Sequence, residues 1–127
     1  MKGANVENQE ILTKKFQKEM NSGIASLVLL GVMAHASEPL YGYQVAKLLD
    51  DHAGESPKMK QGALYPVLRS LEGSGSLEST VEPSVSGPPR RYYTITKAGR
   101  QTFQVWQQIW SETKVFVDTV LKGISHE

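Results

Sequence analysis

The sequence predicts an α+β fold that is mostly α: a winged helix-turn-helix with an N-terminal helix and a long C-terminal dimerisation helix. Three observations carry that expectation. Apolar residues recur at helical spacing up to residue 73, two short β-prone segments flank a Pro/Gly-rich loop, and a heptad pattern runs toward the C-terminus.

From Val6 to Asn21, Leu12, Phe16 and Met20 stand four apart and share one face of an amphipathic helix. Asn21-Ser22-Gly23 is expected to break it. The run Ile24 to His35 is apolar on nearly every side, as in a helix buried in a core, with Gly31 a cost to its propensity. Ser37-Glu38-Pro39 ends that segment. Between Tyr41 and Asp51, Val45, Leu48 and Leu49 form the stripe of a third short helix, and His52 to Pro57 reads as a loop. Leu64, Val67, Leu68 and Leu71 predict a helix over 61–73, stopped by Gly73-Ser74-Gly75. Pro66 asks for a start no earlier than Gly62 or a slight bend, because a proline past the first turn removes a backbone bond.

Leu77 to Glu82 and Arg90 to Thr96 have the alternation of two hairpin strands, and Pro83-Ser84-Val85-Ser86-Gly87-Pro88-Pro89 between them cannot continue a ladder. Period two turns Tyr93 and Ile95 inward and Arg90 and Tyr92 outward. Thr96 is a good N-cap for the longest helix, Lys97 to about Lys122. There Phe103, Trp106, Trp110, Thr113, Val117, Val120 and Ile124 alternate steps of three and four, and Ile109, Phe116 and Leu121 widen the stripe. Such a stripe needs cover. A dimer, with the N-terminal helix and the partner's long helix lying on it, is the economical expectation; packing within one chain is the alternative.

A chain of 127 residues with formal net charge +1 has the size of one domain. It has no cysteine, which excludes a disulfide framework, a thiolate nucleophile and Cys-based metal centres. The longest apolar-rich run, Ile24 to Ala34, falls short of the roughly 18–20 residues that span a bilayer, and polar residues precede it. Neither a membrane span nor a signal peptide is expected, and the protein should be soluble and cytoplasmic. His35, His52 and His126 lie far apart, Asp50-Asp51 reads as a solvated helix end, and no nucleophile elbow, phosphate loop or dinucleotide fingerprint is present. No enzyme, metal or cofactor is expected.

Charge is unevenly spread. Residues 58–100 carry seven Lys/Arg against three Asp/Glu, a net +4 between flanks of −2 and −1. Phosphate binding needs such a local footprint, although a plain solvated surface would look the same. The 61–73 helix is the second of the turn pair, the one that enters a major groove. With Leu64, Leu68 and Leu71 turned inward, Gln61, Tyr65, Pro66 and Arg69 lie outward, and Lys58 and Lys60 stand just ahead. Gln and Arg can read base edges, while Lys and the Tyr hydroxyl commonly meet phosphates. Arg90 and Arg91 follow the stiff Gly87-Pro88-Pro89 and suit phosphates or a narrow minor groove. Pairing with Glu82 across the ribbon is the competing role for one of them. The partner implied is a double-stranded DNA operator. Residues 1–96 would form the winged-helix DNA-binding domain, N-terminal helix included, and 97–127 the dimerisation helix.

Three stretches carry a resemblance: Gly42-Tyr43 opening the short helix, Gly62-Ala63-Leu64-Tyr65-Pro66-Val67-Leu68-Arg69-Ser70-Leu71-Glu72, and Arg90-Arg91-Tyr92-Tyr93-Thr94-Ile95-Thr96-Lys97-Ala98-Gly99-Arg100. Together they resemble the PadR-like transcriptional regulators, over about Leu27 to Leu121. The resemblance implies a homodimeric repressor that releases its operator when a small effector binds. With one long helix after the wing, the chain is similar to the compact branch, which includes regulators of multidrug efflux pumps. It implies a recognition helix over Lys60 to Arg69, a wing at Arg90-Arg91, and Tyr43 and Ala63 among the DNA-facing positions. The family often has Thr where this chain has Ala63, so a hydroxyl able to reach a phosphate is missing there. Trp110 falls where multidrug-responsive members place an aromatic that lines, with its dimer mate, a pocket for flat aromatic compounds. Trp106 lies one turn away, and plain dimer core is the alternative role for both tryptophans. The segment before Ile24 is longer than in many compact members and is expected to pack on the long helix. Two other readings stay open, a winged-helix protein-interaction module and a ligand-sequestering protein without DNA binding.

Overall fold

The computed structural model describes the backbone over residues 2–54 and 61–125, with side chains over 5–54 and 62–125. In chain order it contains helix α1 (Lys2–His35), strand β1 (Leu40–Tyr41), helices α2 (Gly42–His52) and α3 (Gln61–Gly73), strands β2 (Leu77–Glu82) and β3 (Arg90–Ile95), and helix α4 (Lys97–Lys122). This is the expected mostly α winged helix-turn-helix. It differs from the sequence reading in its first helix and in its sheet.

The break expected at Asn21-Ser22-Gly23 does not occur, and α1 runs unbroken from Lys2 to His35. None of the three residues removes a backbone donor, and their combined propensity penalty is roughly 2 kcal/mol. Good helix formers on both sides offset that, since propagation through an existing helix needs no new nucleus. The ribbon is also not two-stranded. Leu40 and Tyr41 pair antiparallel with Tyr93 and Tyr92, which gives a three-stranded sheet in the order β1-β3-β2. Two residues are too few to show any alternation. Helix α3 has the predicted bounds, Gln61–Gly73, with Pro66 inside it. The missing N–H forgoes only a bond to the carbonyl of Gly62, an exposed first-turn residue that water can serve.

The core lies where α1, α2, α3 and the sheet meet. Leu29, Leu30 and Met33 from α1 pack with Val45 from α2, Leu64, Leu68 and Leu71 from α3, and Leu77, Tyr93 and Ile95 from the sheet. Of the Ile24 to His35 run only Ala25, Leu29, Leu30 and Met33 are fully buried, so the core covers one face of α1 rather than all of it.

The joint between α3 and the wing is tightly specified. Ser76 N–H donates to the Leu71 carbonyl and Gly75 N–H to the Glu72 carbonyl, with Gly75 at φ +86°. That is a Schellman stop, and the left-handed position takes glycine because it has no Cβ. The same turn anchors α4. Thr96 N–H donates to the Ser76 carbonyl at 3.0 Å, the Thr96 hydroxyl donates to the Gly75 carbonyl at 2.6 Å, and Gly99 N–H donates to Thr96 Oγ1 at 2.9 Å. Arg100 Nη1 donates to the Ala34 carbonyl at the end of α1, 3.2 Å away. Beyond this base, Phe103 and Trp106 pack on the edge of the core, and the rest of α4 stands clear of it. No described helix is long and apolar enough to cross a membrane.

Candidate nucleic-acid interface

The helical spacing of α3 divides its residues between two sides. Leu64, Leu68 and Leu71 are buried, while Ala63, Pro66 and Arg69 are exposed and Tyr65 is half-buried. For the three leucines, Pro66 and Arg69 this is the division the sequence predicts, while Tyr65 sits between the two sides. Gln61 opens the helix, and Lys58 and Lys60 lie outside the described residues.

Tyr65 owes its position to a glycine. A Cβ at Gly42 would overlap the edge of the Tyr65 ring, so the first turn of α2 and the outer face of α3 approach as only a residue without a side chain allows. On the other side of this contact Tyr41 ends β1 and precedes α2. Its N–H donates to the side chain of Gln44 at 3.1 Å, which reaches back to cap the helix start.

The wing places its arginines on two different supports. Arg90 faces Glu82 in the β2·β3 register, yet its guanidinium lies over the Tyr41 ring, 4.5 Å from the centroid. Arg91 Nη1 donates to Ser79 Oγ at 2.9 Å, and the Ser79 hydroxyl donates to a Glu72 carboxylate oxygen. A hydrogen-bonded chain therefore runs from the end of α3 across β2 to Arg91. Tyr93 and Ile95 point inward as expected, but Tyr92 does not face open solvent. Its ring meets Tyr41 edge-on at 5.3 Å, because β1 lies beside β3 and supplies a neighbour the two-stranded reading lacked.

These residues surround one cleft of about 430 Å³, bounded by Tyr41, Gly42 and Tyr43 of the α2 start, Tyr65 and Arg69 of α3, and Pro88 to Arg91 of the wing. Tyr93 forms part of its wall, and burial pushes its phenol above the ordinary value, with the Glu72 carboxylate adding to the effect. Three guanidiniums with Tyr41, Tyr43 and Tyr65 on a concave face suit a polyanionic ligand that also offers sugar or base surface. Tyr43, Tyr65, Arg69, Arg90 and Arg91 are thus brought together. Ala63 and Pro66 lie on the exposed side of α3 but do not line the cleft.

Sequence reasoning missed Tyr41, Ser79 and Glu72. The Tyr41-Gly42-Tyr43 repeat beside a basic hairpin is a usable signal for the first. For Ser79 and Glu72 the sequence has none, because their meeting depends on how α3 docks on the sheet.

The two tryptophans lie elsewhere. Trp106 and Trp110, with Met20, Ile24, Leu27 and Ile109, line a groove of about 450 Å³ between α1 and α4. Trp110 remains 45% exposed, and Ile109, Phe116, Val117, Val120 and Leu121 continue an open apolar stripe that Leu12 and Phe16 of α1 extend.

The family model that matches the chain is that of the transcriptional regulator PadR-like family, over residues 29–105. Among solved structures the chain is similar to a PadR family transcriptional regulator from Eggerthella lenta, with 27% identity, a TM-score of 0.74, and 94% of this chain and 99% of that one covered. It is also similar to a PadR-like transcriptional regulator from Bacillus cereus, at 27% identity and a TM-score of 0.66, covering 84% of this chain and 99% of that one. A transcriptional regulator from Clostridium thermocellum shares the fold at 22% identity, with a TM-score of 0.70 and coverage of 84% and 96%. No curated protein matches the chain.

Proposed function

Because the chain belongs to the PadR-like family of transcriptional regulators, and is a DNA-binding regulator rather than an enzyme, we propose that it is a homodimeric repressor released from its operator by a flat aromatic effector. One observation carries the proposal. Tyr65 and Arg69 of the second turn-pair helix and Arg90 and Arg91 of the wing border the same cleft, where a helix in a major groove and a ribbon along the adjacent backbone would both touch one duplex. In this reading α3 lies in the major groove, Arg69 and Gln61 read base edges, Tyr43 and Tyr65 meet phosphates, and Lys60 reinforces the field at the helix start. Ala63 and Pro66 contribute shape only.

The dimer is supported by the open stripe on α4 and the matching apolar face of α1, which a second copy would cover. Residues 1–96 form the DNA-binding unit and 97–127 the dimerisation helix. The crossing angle of paired α4 helices then sets the distance between recognition helices, which operator binding needs near 34 Å, one turn of B-DNA. An aromatic molecule wedged beside Trp106 and Trp110 changes that angle. To shift the population substantially it must prefer one state by a few kcal/mol.

A gel-shift titration against the DNA upstream of the protein's own gene, with and without flat aromatic compounds, tests the proposal. If the dimer neutralises roughly six phosphates, affinity falls about a thousandfold between 50 and 200 mM salt. A flat salt dependence contradicts the placement of the arginines. Charge reversal at Arg90 and Arg91 abolishes DNA retention if the wing grips the duplex; if the fold is a protein-docking module the parent retains no DNA, and the reversal leaves partner binding intact or altered.

A further inference from the structure

Arg90 and Arg91 are adjacent in sequence but are held differently. Arg91 has one guanidinium nitrogen committed to Ser79. Arg90 lies over an aromatic ring, and a guanidinium over a ring still has N–H donors to offer an oxyanion. The Tyr41 ring is itself fixed from several sides. It stacks on Tyr43 at 6.3 Å with 20° between planes, meets Tyr92 edge-on, and belongs to a residue whose backbone is paired in the sheet and bound by Gln44.

We infer that Tyr41 is a positioning residue for DNA binding: its ring holds the Arg90 guanidinium in place before the duplex arrives and couples the wing to the start of α2. The inference rests on the reading that Arg90 meets a phosphate. An arginine that swings freely must give up rotamer freedom on binding, and one already resting on a ring gives up less. The coupling extends to α3, because at Gly42, next in the chain, the α2 start and the Tyr65 ring approach so closely that no Cβ fits between them. Tyr41 therefore joins the wing, the helix start and the outer face of α3 into one surface.

Operator affinity is measured by fluorescence anisotropy for the parent, Tyr41→Leu, Tyr41→Phe, Arg90→Met and the Tyr41→Leu/Arg90→Met double variant. A cation–π contact of about 0.5–2 kcal/mol corresponds to roughly 2- to 30-fold weaker binding for Tyr41→Leu. Tyr41→Phe keeps the ring and should bind within about twofold of the parent. In the Arg90→Met background Tyr41→Leu should cost nothing further. Additive losses, or a loss with Phe as large as with Leu, overturn the inference. If Arg90→Met alone changes neither affinity nor salt slope, the placement of Arg90 at a phosphate fails, and the inference with it. Independently of any variant's folding, the side-chain protons of Arg90 in the DNA-free parent should be shifted upfield by the ring current of Tyr41. Unshifted resonances overturn the positioning role even where Arg90 proves essential.

Discussion

Gly99→Ala tests how rigidly α4 is fixed to the body. A Cβ at Gly99 would overlap the Ser76 carbonyl oxygen and come within 2.9 Å of Ile95 Cγ1. The carbonyl cannot yield cheaply, because it accepts the Thr96 N–H that begins α4 and follows the Schellman stop of α3. The helix must move instead. Restoring an ordinary contact takes a displacement of about 1.5 Å at the first turn. Taken up as a pivot over one turn of about 5.4 Å, this tilts α4 by about 15°, and at Lys122, about 34 Å farther along, the tip moves about 9 Å. Overpacking of this kind costs about 1–3 kcal/mol, which lowers Tm by about 4–10 °C for a chain of this size. Because the proposed dimer sets its half-site spacing through α4, operator affinity should fall at least tenfold as well. Thermal unfolding and anisotropy read the two effects separately. Parent Tm together with parent affinity would refute the argument that the base of α4 is locked to the turn.

Val117→Glu on the open α4 stripe should turn the proposed dimer into a monomer by light scattering, and a variant that stays dimeric contradicts the packing. If flat aromatic compounds bind in the α1/α4 groove, they should quench tryptophan emission, and Trp110→Ala should remove most of that quenching; unchanged quenching assigns the site elsewhere. Ser79→Ala breaks the link from Arg91 to Glu72. It should cost about 0.5–1.5 kcal/mol in urea unfolding, and no change would mean that water replaces the hydroxyl. The Tyr93 phenol is held above its ordinary value near 10, chiefly by burial. Its contribution to stability is complete below that value and is lost as pH rises through the higher folded value. Tyr93→Phe should remove this part of the alkaline loss of stability, and identical pH profiles for parent and variant would contradict it.

The order of elements was legible because it rests on local physics. The Leu64, Leu68 and Leu71 spacing, the Gly75 stop, the Thr96 cap and the proline-rich wing tip each act within a few residues. The same locality produced the errors. Asn21-Ser22-Gly23 looks like a break only when the helix on either side is ignored, and the two residues of β1 have no pattern until β3 offers them a ladder.

The chain by itself determines where α2, α3, the two wing strands and α4 lie and which face of α3 is dry. It also concentrates the basic residues between Lys58 and Arg100, since periodicity and charge are written one residue at a time. Only the tertiary structure decides that Arg90 rests on Tyr41 while Arg91 turns to Ser79, and that glycines at 42 and 99 are demanded by a ring and a carbonyl. Those contacts join residues far apart in sequence, and their geometry is fixed by packing.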